Sequence, residues 1–462
     1  MELSAIILAG GKGARMKSLR PDFSKAAMPI LGKPMISYVI DSLKDLEPKR
    51  LVAVIGPKDL AIEEIIKGES DIIHEPDQKG TGWALKSAQD IIKEKNGIVL
   101  VCRSDTPLIT AKTLKALVSS HLTNHNDVTV LSANYDDPYG CSRIKKEQGH
   151  VLKIVSQRDC SLEEDTIHEV NAGIYVFNNS VLEEGFEKFF KEESAQELSI
   201  SDLINRLIEE NMKVGVFLSA DKMETMDVND RYVLSKAEKA MRERINKRLM
   251  LSGVTIVDPD TTYIGVDVVI QNDTVIYPNT TILGKSKIGR DNVIGPNTYL
   301  NNVKIDNQNR ITFSHIDDCE IGSSNDLGPY LRMRNGCVIE DNTLIGNFNE
   351  LKNAHIGKIS RASHLSYLGD VTIGEDVNIG CGTIIANFDG VNKFSSVIKD
   401  KAFVGSGSTI ISPVTVGEDA FIAAGSVINH DVGDGDMGIA RARQENKEKY
   451  SAVLKSKALN KK

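Results

Sequence analysis

Three things are scarce in this chain, and each absence narrows what it can be. There is no surplus of basic residues: 56 Lys and Arg stand against 64 Asp and Glu, for a net charge of −8. That balance disfavours a nucleic-acid partner held by bulk electrostatics, although it leaves room for a local basic pocket. There is no CxxC pair among the six cysteines, at 102, 141, 160, 319, 337 and 381. Scattered thiols of this kind point to a reducing, cytoplasmic setting rather than to a disulfide framework or a zinc site. Finally, there is no long apolar run. The N-terminal "AIILA" is too short for a signal-peptide core or a membrane span, so no membrane partner is expected.

What is present is a chain of 462 residues with 41% hydrophobic and 26% charged content, ordinary for a folded protein. That length exceeds what one core usually serves, so two domains are expected. The first half alternates β-rich runs with amphipathic helical ones. "AIILA", "RLVAVIG", "DIIHE", "GIVLVCRSD", "DVTVLSAN" and "AGIYVF" read as strands. "PMISYVIDSLKDL", "GTGWALKSAQDIIKEK" and "TAKTLKALVSSHL" read as helices. This βαβ rhythm predicts a mostly parallel sheet with helices on both faces, and ligands at the carboxyl ends of its strands.

From residue 229, "NDRYVLSKAEKAMRERINKRLMLSG" reads as one long helix ended by Gly253. Beyond it the period changes. Aliphatic residues recur every six positions at Ile264, Ile270, Ile276, Ile282, Ile288, Ile294 and Leu300. The register slips and resumes at Ile321, Leu327, Met333, Ile339, Ile345 and Leu351, and again at Val404, Ile410, Val416, Ile422 and Ile428. A step of six suits a parallel β-helix of triangular section, one inward aliphatic side chain per side. The expected organisation is α/β: a Rossmann-type domain over 1–228, a linker helix over 229–252, and a left-handed β-helix with a C-terminal tail over 253–462. The tail "QENKEKYSAVLKSKALNKK" reads as a final basic helix or a solvated, frayed end.

A glycine loop, "LAGGKGARM", follows the first strand. Its spacing is neither GxxxxGK[ST] nor GxGxxG, so it is not a P-loop or a dinucleotide fingerprint. Together with "FSKAAMPILGKPMI" it matches the sugar-nucleotidyltransferase signature, and the later motif "SHLSYLGD" at 363–370 is close to the acetyltransferase signature GHLTYLGD. With the hexapeptide ladder, the chain resembles the bifunctional GlmU family, which joins N-acetylglucosamine-1-phosphate uridylyltransferase to glucosamine-1-phosphate N-acetyltransferase.

In the second half the resemblance implies that His364 is the catalytic base toward the sugar amine, with Glu350 the carboxylate that orients or tunes it. Imidazole suits the role because it titrates near neutral pH. Arg334, Lys352, Tyr367, Asn378 and Lys393 match the residues that hold glucosamine-1-phosphate, a basic set fit for a dianion. Asn387 is kept from the stretch lining this pocket, and Phe388 stands where a tyrosine is usual. The Cys381 backbone N–H is the implied oxyanion donor, and Cys381, Ser406, Ala424 and Arg441 match acetyl-CoA contacts. A homotrimer, with acceptor sites between neighbouring subunits, follows from the same resemblance.

In the first half it implies attack by a sugar-1-phosphate on the α-phosphorus of UTP. Leu8, Ala9, Gly10 and Gly11 would approach the triphosphate, while Arg15 and Lys25 would neutralise its charge. Asp105 and Asn229 match ligands of Mg²⁺, and Gly80 and Thr81 lie in the uridine-side loop "DQKGTGWA". The chain departs from the pattern where Glu75 replaces a base-contacting glutamine, Ser104 a glycine, Ser142 a glycine, Ser156 a glutamate, and Ala172 a threonine beside Asn171. The phosphate and metal machinery is therefore expected intact and the choice of sugar, and of base, altered. Three readings follow: a bifunctional enzyme of UDP-N-acetylglucosamine synthesis serving cell-envelope precursors; an acetyltransferase whose nucleotidyltransferase half takes another sugar phosphate or works feebly; and a non-catalytic scaffold of the same two folds.

Overall fold

The β-rich runs of the first half assemble into a nine-stranded sheet in the computed structural model, which describes residues 2–11, 13–20, 23–57, 59–76, 79–92, 96–190 and 197–459. Its main path runs Val214–Leu218, Val128–Asn134, Glu169–Asn178, Ile98–Arg103, Leu3–Ala9, Arg50–Ile55, Asp71–His74. The pairings are parallel except those of Glu169–Asn178, which runs against both neighbours and carries the hairpin Arg143–Glu147/His150–Val155. The central strands are apolar on both faces because helices cover both. Ile6, Leu8, Val52 and Val54 point into one core; Ala5, Ile7, Ala53 and Ile55 point into the other.

Each covering helix buries one stripe at the 3.6-residue period. The helix Met35–Lys44 contributes Ile36, Val39, Ile40 and Leu43 to the second core. The helix Ile200–Glu209 contributes Ile200, Leu203, Ile204 and Leu207 to the first, and starts at a capping box of Ser199 and Asp202. The helical stretch expected over 80–95 is interrupted: it is α-helical over Thr81–Ser87 and 3-10 over Gln89–Ile91. Ser87 Oγ donates to the Ala84 carbonyl at 2.7 Å, competing with the helix ladder at the break. Residues 93–95 lie outside the described set.

Parallel register sets the position of the glycine loop. Leu8 pairs with Arg103, so the chain leaves both strands at the same sheet edge, with Gly10 and Gly11 on one side and Ser104 and Asp105 on the other. Lys12 of that loop, and Asp77 and Gln78 of the "DQKGTGWA" stretch, lie outside the described residues.

The second half is a triangular prism of parallel coils, a left-handed β-helix. All eighteen inward aliphatic positions read from the six-residue period are buried, none above 6% exposure. They stack coil on coil: Ile264 on Ile282, Ile282 on Leu300, Leu300 on Ile316, Ile316 on Met333, Met333 on Leu351, and Leu351 on Leu368. The slip after Leu300 arises because the next inward residues are Ile305, Ile311, Ile316 and Ile321, so three sides are one residue shorter. A second irregularity is the excursion between Asn387 and Phe394. It closes on itself through the Phe394 N–H to Asn387 carbonyl bond at 2.9 Å, and the next strand re-enters register with Val371 opposite Ser396.

One corner of the prism carries bulky residues in the left-handed region: Phe313 (φ 45°), Tyr330 (59°), Phe348 (57°) and Leu365 (44°). The ring of Tyr330 meets Phe313 tilted at 5.6 Å and stacks on Phe348 at 5.2 Å. Side chains with a Cβ adopt this conformation at a cost of about 1–2 kcal/mol each.

By compactness the chain divides into Met1–Ile245 and Asn246–Lys462. The helix Arg231–Leu251 runs through that division, and Gly253 follows it at φ 97°, a left-handed helix end. The helix Tyr450–Leu459 near the C-terminus is exposed along its length. Among the described residues no helix is long and apolar enough to cross a membrane, and all six cysteines are free thiols.

Candidate functional site

The carboxyl ends of the central strands open into a cavity of about 540 Å³. Leu8, Ala9, Gly10, Gly11, Arg15, Lys25, Glu75, Gly80, Thr81, Asp105, Ser142, Asn171 and Asn229 all line it, as does Ala172. Two local features assemble the centre of this cavity. The Val228 N–H donates to the Asp105 carbonyl at 2.8 Å, which lays "DVNDR" against "RSD" and brings Asn229 beside Asp105. Lys25 then donates both to Asp105 Oδ2 and to Asn229 Oδ1, the latter at 3.2 Å.

Asp105 is only 4% exposed. Burial alone would raise its pKa, but Arg103 and Lys25 outweigh that and hold the carboxyl below its usual range. Both cations sit on Oδ2; Oδ1 is buried and has no hydrogen-bond partner. An orphaned carboxylate oxygen with an amide oxygen close by is a donor set that fits a hard divalent cation, which takes oxygen ligands and keeps its own waters.

Other wall residues are held by specific bonds. Asn171 accepts the Gly173 N–H at 2.9 Å and donates to the Tyr175 hydroxyl at 2.9 Å and Ser201 Oγ at 3.2 Å. Thr81 Oγ1 accepts the Ile200 N–H at 3.0 Å, pinning the start of one helix to another. Glu75 is buried against Gly10, where an added Cβ would fall 3.1 Å from Glu75 Oε2.

Ser156 is the exception. It is exposed and outside the cavity, because it starts the 3-10 turn Gln157–Asp159 and turns its hydroxyl to Asp159 Oδ2 at 2.8 Å. Sequence reasoning missed Arg103, Tyr135, Thr225 and Asp227, which line the same cavity. Arg103 and Asp227 had a usable signal, since each lies two residues before a motif residue, Asp105 and Asn229.

In the second unit the candidate residues fall on two adjoining strips. On one face Arg334 pairs with Lys352, and Glu350 with Tyr367, in successive coils. Arg334 Nη2 donates to Glu350 Oε1 at 2.5 Å, and the Lys352 ammonium lies 3.6 Å from Asp370 Oδ2. Asn387, with Asn353, hydrogen-bonds that same Asp370 carboxylate. The Lys393 ammonium is held against Lys352, and this like-charge contact pushes its pKa down. Lys352 and Lys393, with the Arg334 guanidinium one coil from Lys352, make a place for a multiply charged anion.

The other strip runs along one edge of the prism. His364 ends the strand Arg361–His364 and is exposed. Register places Cys381 one coil on from His364, and the coil-to-coil bonds Gly382 N–H to Leu365 carbonyl, Gly407 N–H to Cys381 carbonyl and Gly425 N–H to Ser406 carbonyl continue the line. His364, Cys381, Ser406 and Ala424 thus succeed one another along the axis at strand spacing, about 5 Å per coil. Arg441 closes the row by donating to the Ala424 carbonyl at 2.8 Å. Asn378 is on the same face as His364, opposite Arg361, and Phe388 is exposed on the excursion.

One expected partnership is not made. Glu350 stands opposite Tyr367 and accepts from Arg334 through Oε1; it makes no hydrogen bond to His364. The group on His364 Nδ1 is Asn347 Oδ1, at 2.9 Å, from the preceding coil. Asn347 was missed by sequence reasoning, although it stands one coil before the histidine in "GNFNE".

Comparison with known proteins agrees with both halves. The Nucleotidyl transferase family matches residues 4–236, and the Bacterial transferase hexapeptide (six repeats) family matches residues 267–302 and 395–430. The chain is 43% identical over 452 residues to the Bifunctional protein GlmU of Exiguobacterium sp. strain AT1b, covering 98% of this chain and 100% of that protein. It is 43% identical over 449 residues to that of Clostridioides difficile strain 630, covering 97% of each. It is 42% identical over 451 residues to that of Enterococcus faecalis strain V583, covering 97% of this chain and 98% of the other. With full-length similarity at this level, a cavity at the strand ends and a hexapeptide prism in one polypeptide, the chain belongs to the bifunctional GlmU family.

Proposed function

We propose that this chain makes UDP-N-acetylglucosamine in two steps, one in each of the regions 1–228 and 253–462, joined by the helix between them. In the second region an acetyl group passes from acetyl-CoA to the amine of glucosamine-1-phosphate. In the first, N-acetylglucosamine-1-phosphate takes a uridylyl group from UTP and pyrophosphate leaves. The observation that carries the reading is that both half-sites coexist in one chain: Lys25, Asp105 and Asn229 around an orphaned carboxylate oxygen, and His364 braced by Asn347 at the head of the Cys381–Ser406–Ala424 row.

For acetyl transfer, Arg334, Lys352 and Lys393 receive the phosphate dianion. His364 Nε2 takes the amine proton as nitrogen bonds to the thioester carbon, with Asn347 fixing the ring through Nδ1. In this reading the Cys381 N–H donates to the tetrahedral oxyanion; the C–S bond then breaks and His364 returns the proton to the thiolate. The row of small residues ending at Arg441 accommodates the extended arm of the acyl donor.

For uridylyl transfer, an oxygen of the sugar phosphate bonds to the α-phosphorus as the bond to the pyrophosphate oxygen breaks. Arg15 and Lys25 offset the charge of the triphosphate, and the backbone of Gly10 and Gly11 allows close approach. Asp105 and Asn229 would hold Mg²⁺, which when bound supplies electrostatic stabilisation of the transferring phosphoryl group.

A homotrimer accords with the open acetyl-transfer strip and with the exposed corner of Tyr330, Phe348 and Leu365 beside His364, which a second subunit would cover. A cytoplasmic setting accords with six free cysteines. Two assays test the function: thiol release from acetyl-CoA with glucosamine-1-phosphate, and pyrophosphate release from UTP with N-acetylglucosamine-1-phosphate. Both are expected; a purified, folded protein giving neither overturns the reading.

A further inference from the structure

Arg103 lines the first cavity, yet no motif accounts for it. It ends the strand Ile98–Arg103, and its guanidinium bridges two carboxylates: Nη2 reaches Asp105 Oδ2 at 2.8 Å and Nη1 reaches Asp227 Oδ2 at 2.9 Å. The opposite strand is shaped around it. The pairing of Glu169–Asn178 with Val128–Asn134 shifts register between Asn171 and Tyr175, and within that break Gly173 adopts φ 73°. A Cβ at Gly173 would lie 2.6 Å from Arg103 Cδ, so a side chain there would displace the arginine. The side chain is therefore fixed from behind by backbone and from both ends by ion pairs.

We propose that Arg103 is a binding residue for the acceptor, gripping the phosphate of the sugar-1-phosphate. A guanidinium carries five N–H donors in one plane, and the two carboxylates take two of them. The side chain remains 31% exposed, toward the cavity. It shares Asp105 Oδ2 with Lys25, so it belongs to the cluster of groups around which the reacting phosphates would gather. Arg15 and the glycine loop serve the triphosphate from the other side, so the acceptor's charge needs a cation of its own, and Arg103 is the cation opposite the loop. Asp227 acts as its tether, preventing the fork from folding onto Asp105 alone.

This inference rests on the nucleotidyl-transfer reading, and wild-type kinetics separate the two. If the wild type releases no pyrophosphate from UTP with any sugar-1-phosphate, that reading fails. Given an active wild type, Arg103→Gln is expected to raise KM for the sugar-1-phosphate about 10- to 100-fold, the loss of a charge-assisted contact, with KM for UTP little changed. Arg103→Lys, which keeps the charge and loses the fork, is expected to fall between. The same fold-change should appear with glucose-1-phosphate and with N-acetylglucosamine-1-phosphate, because their phosphate is common. UTP binding without acceptor, followed by titration calorimetry, should match the wild type in both variants, which also shows that the cavity stays folded. Unchanged acceptor KM, an equal rise in KM for UTP, or a loss confined to one sugar would each overturn the assignment.

Discussion

Asn347 shows how much one side chain can decide. Its Oδ1 at 2.9 Å from His364 Nδ1 selects the tautomer that carries hydrogen on Nδ1, leaving Nε2 as the base. Replacing His364 by Ala should abolish acetyl transfer and leave pyrophosphate release nearly untouched. Asn347→Ala should lower kcat for acetyl transfer about three- to ten-fold, with KM for acetyl-CoA unchanged, since one neutral hydrogen bond is lost. Both are read from thiol release under saturating acetyl-CoA. Asp105→Ala should do the reverse, removing uridylyl transfer while thiol release continues at the wild-type rate. The histidine and the aspartate were legible as residues from their motifs. Their distant partners were not: Asn347 belongs to the previous coil, and Lys25 reaches Asp105 across eighty residues of chain.

At the scale of elements, the prism is built by backbone proximity as much as by its core. At Gly405 an added Cβ would meet the Ala424 nitrogen at 2.4 Å and the Ile422 carbonyl oxygen at 2.6 Å, both backbone atoms of the next coil. Gly405→Ala should therefore push two coils apart beside Ser406, lowering the melting temperature and weakening acetyl-CoA binding in calorimetry. Ile282→Ala, by contrast, removes core volume far from the His364 row. It should cost about 2–5 kcal/mol in denaturant unfolding of the prism and leave the kinetics of the folded protein intact. The six-residue ladder was fully legible because each inward residue touches its own copy one coil away, so geometry repeats with sequence. The three shortened sides after Leu300 and the excursion at Asn387–Phe394 broke the period, and only coil-to-coil hydrogen bonding shows where register resumes.

For the whole molecule, the proposal makes the two chemistries independent in their demand for a divalent cation. Chelation with EDTA should stop uridylyl transfer and spare acetyl transfer, since the orphaned oxygen lies in the Asp105 cluster and the His364 row is a base and a set of cations. Sedimentation should give a species about three times the 50.6 kDa chain, and charge at the exposed corner, as in Phe348→Asp, should shift it toward monomer.

The amino-acid sequence by itself determined the periods: a βαβ alternation that becomes a parallel sheet, and a six-step aliphatic ladder that becomes a prism. Periods are local, and local spacing dictates which side chains can share a face. Tertiary structure alone decided which residues from separate segments complete each site: Asp227 on Arg103, Lys25 on Asp105, Asn347 on His364, Arg334 rather than His364 on Glu350, and Ser156 outside the cavity. Those partnerships depend on hydrogen-bond reach across strands and coils, a distance that position along the chain does not carry.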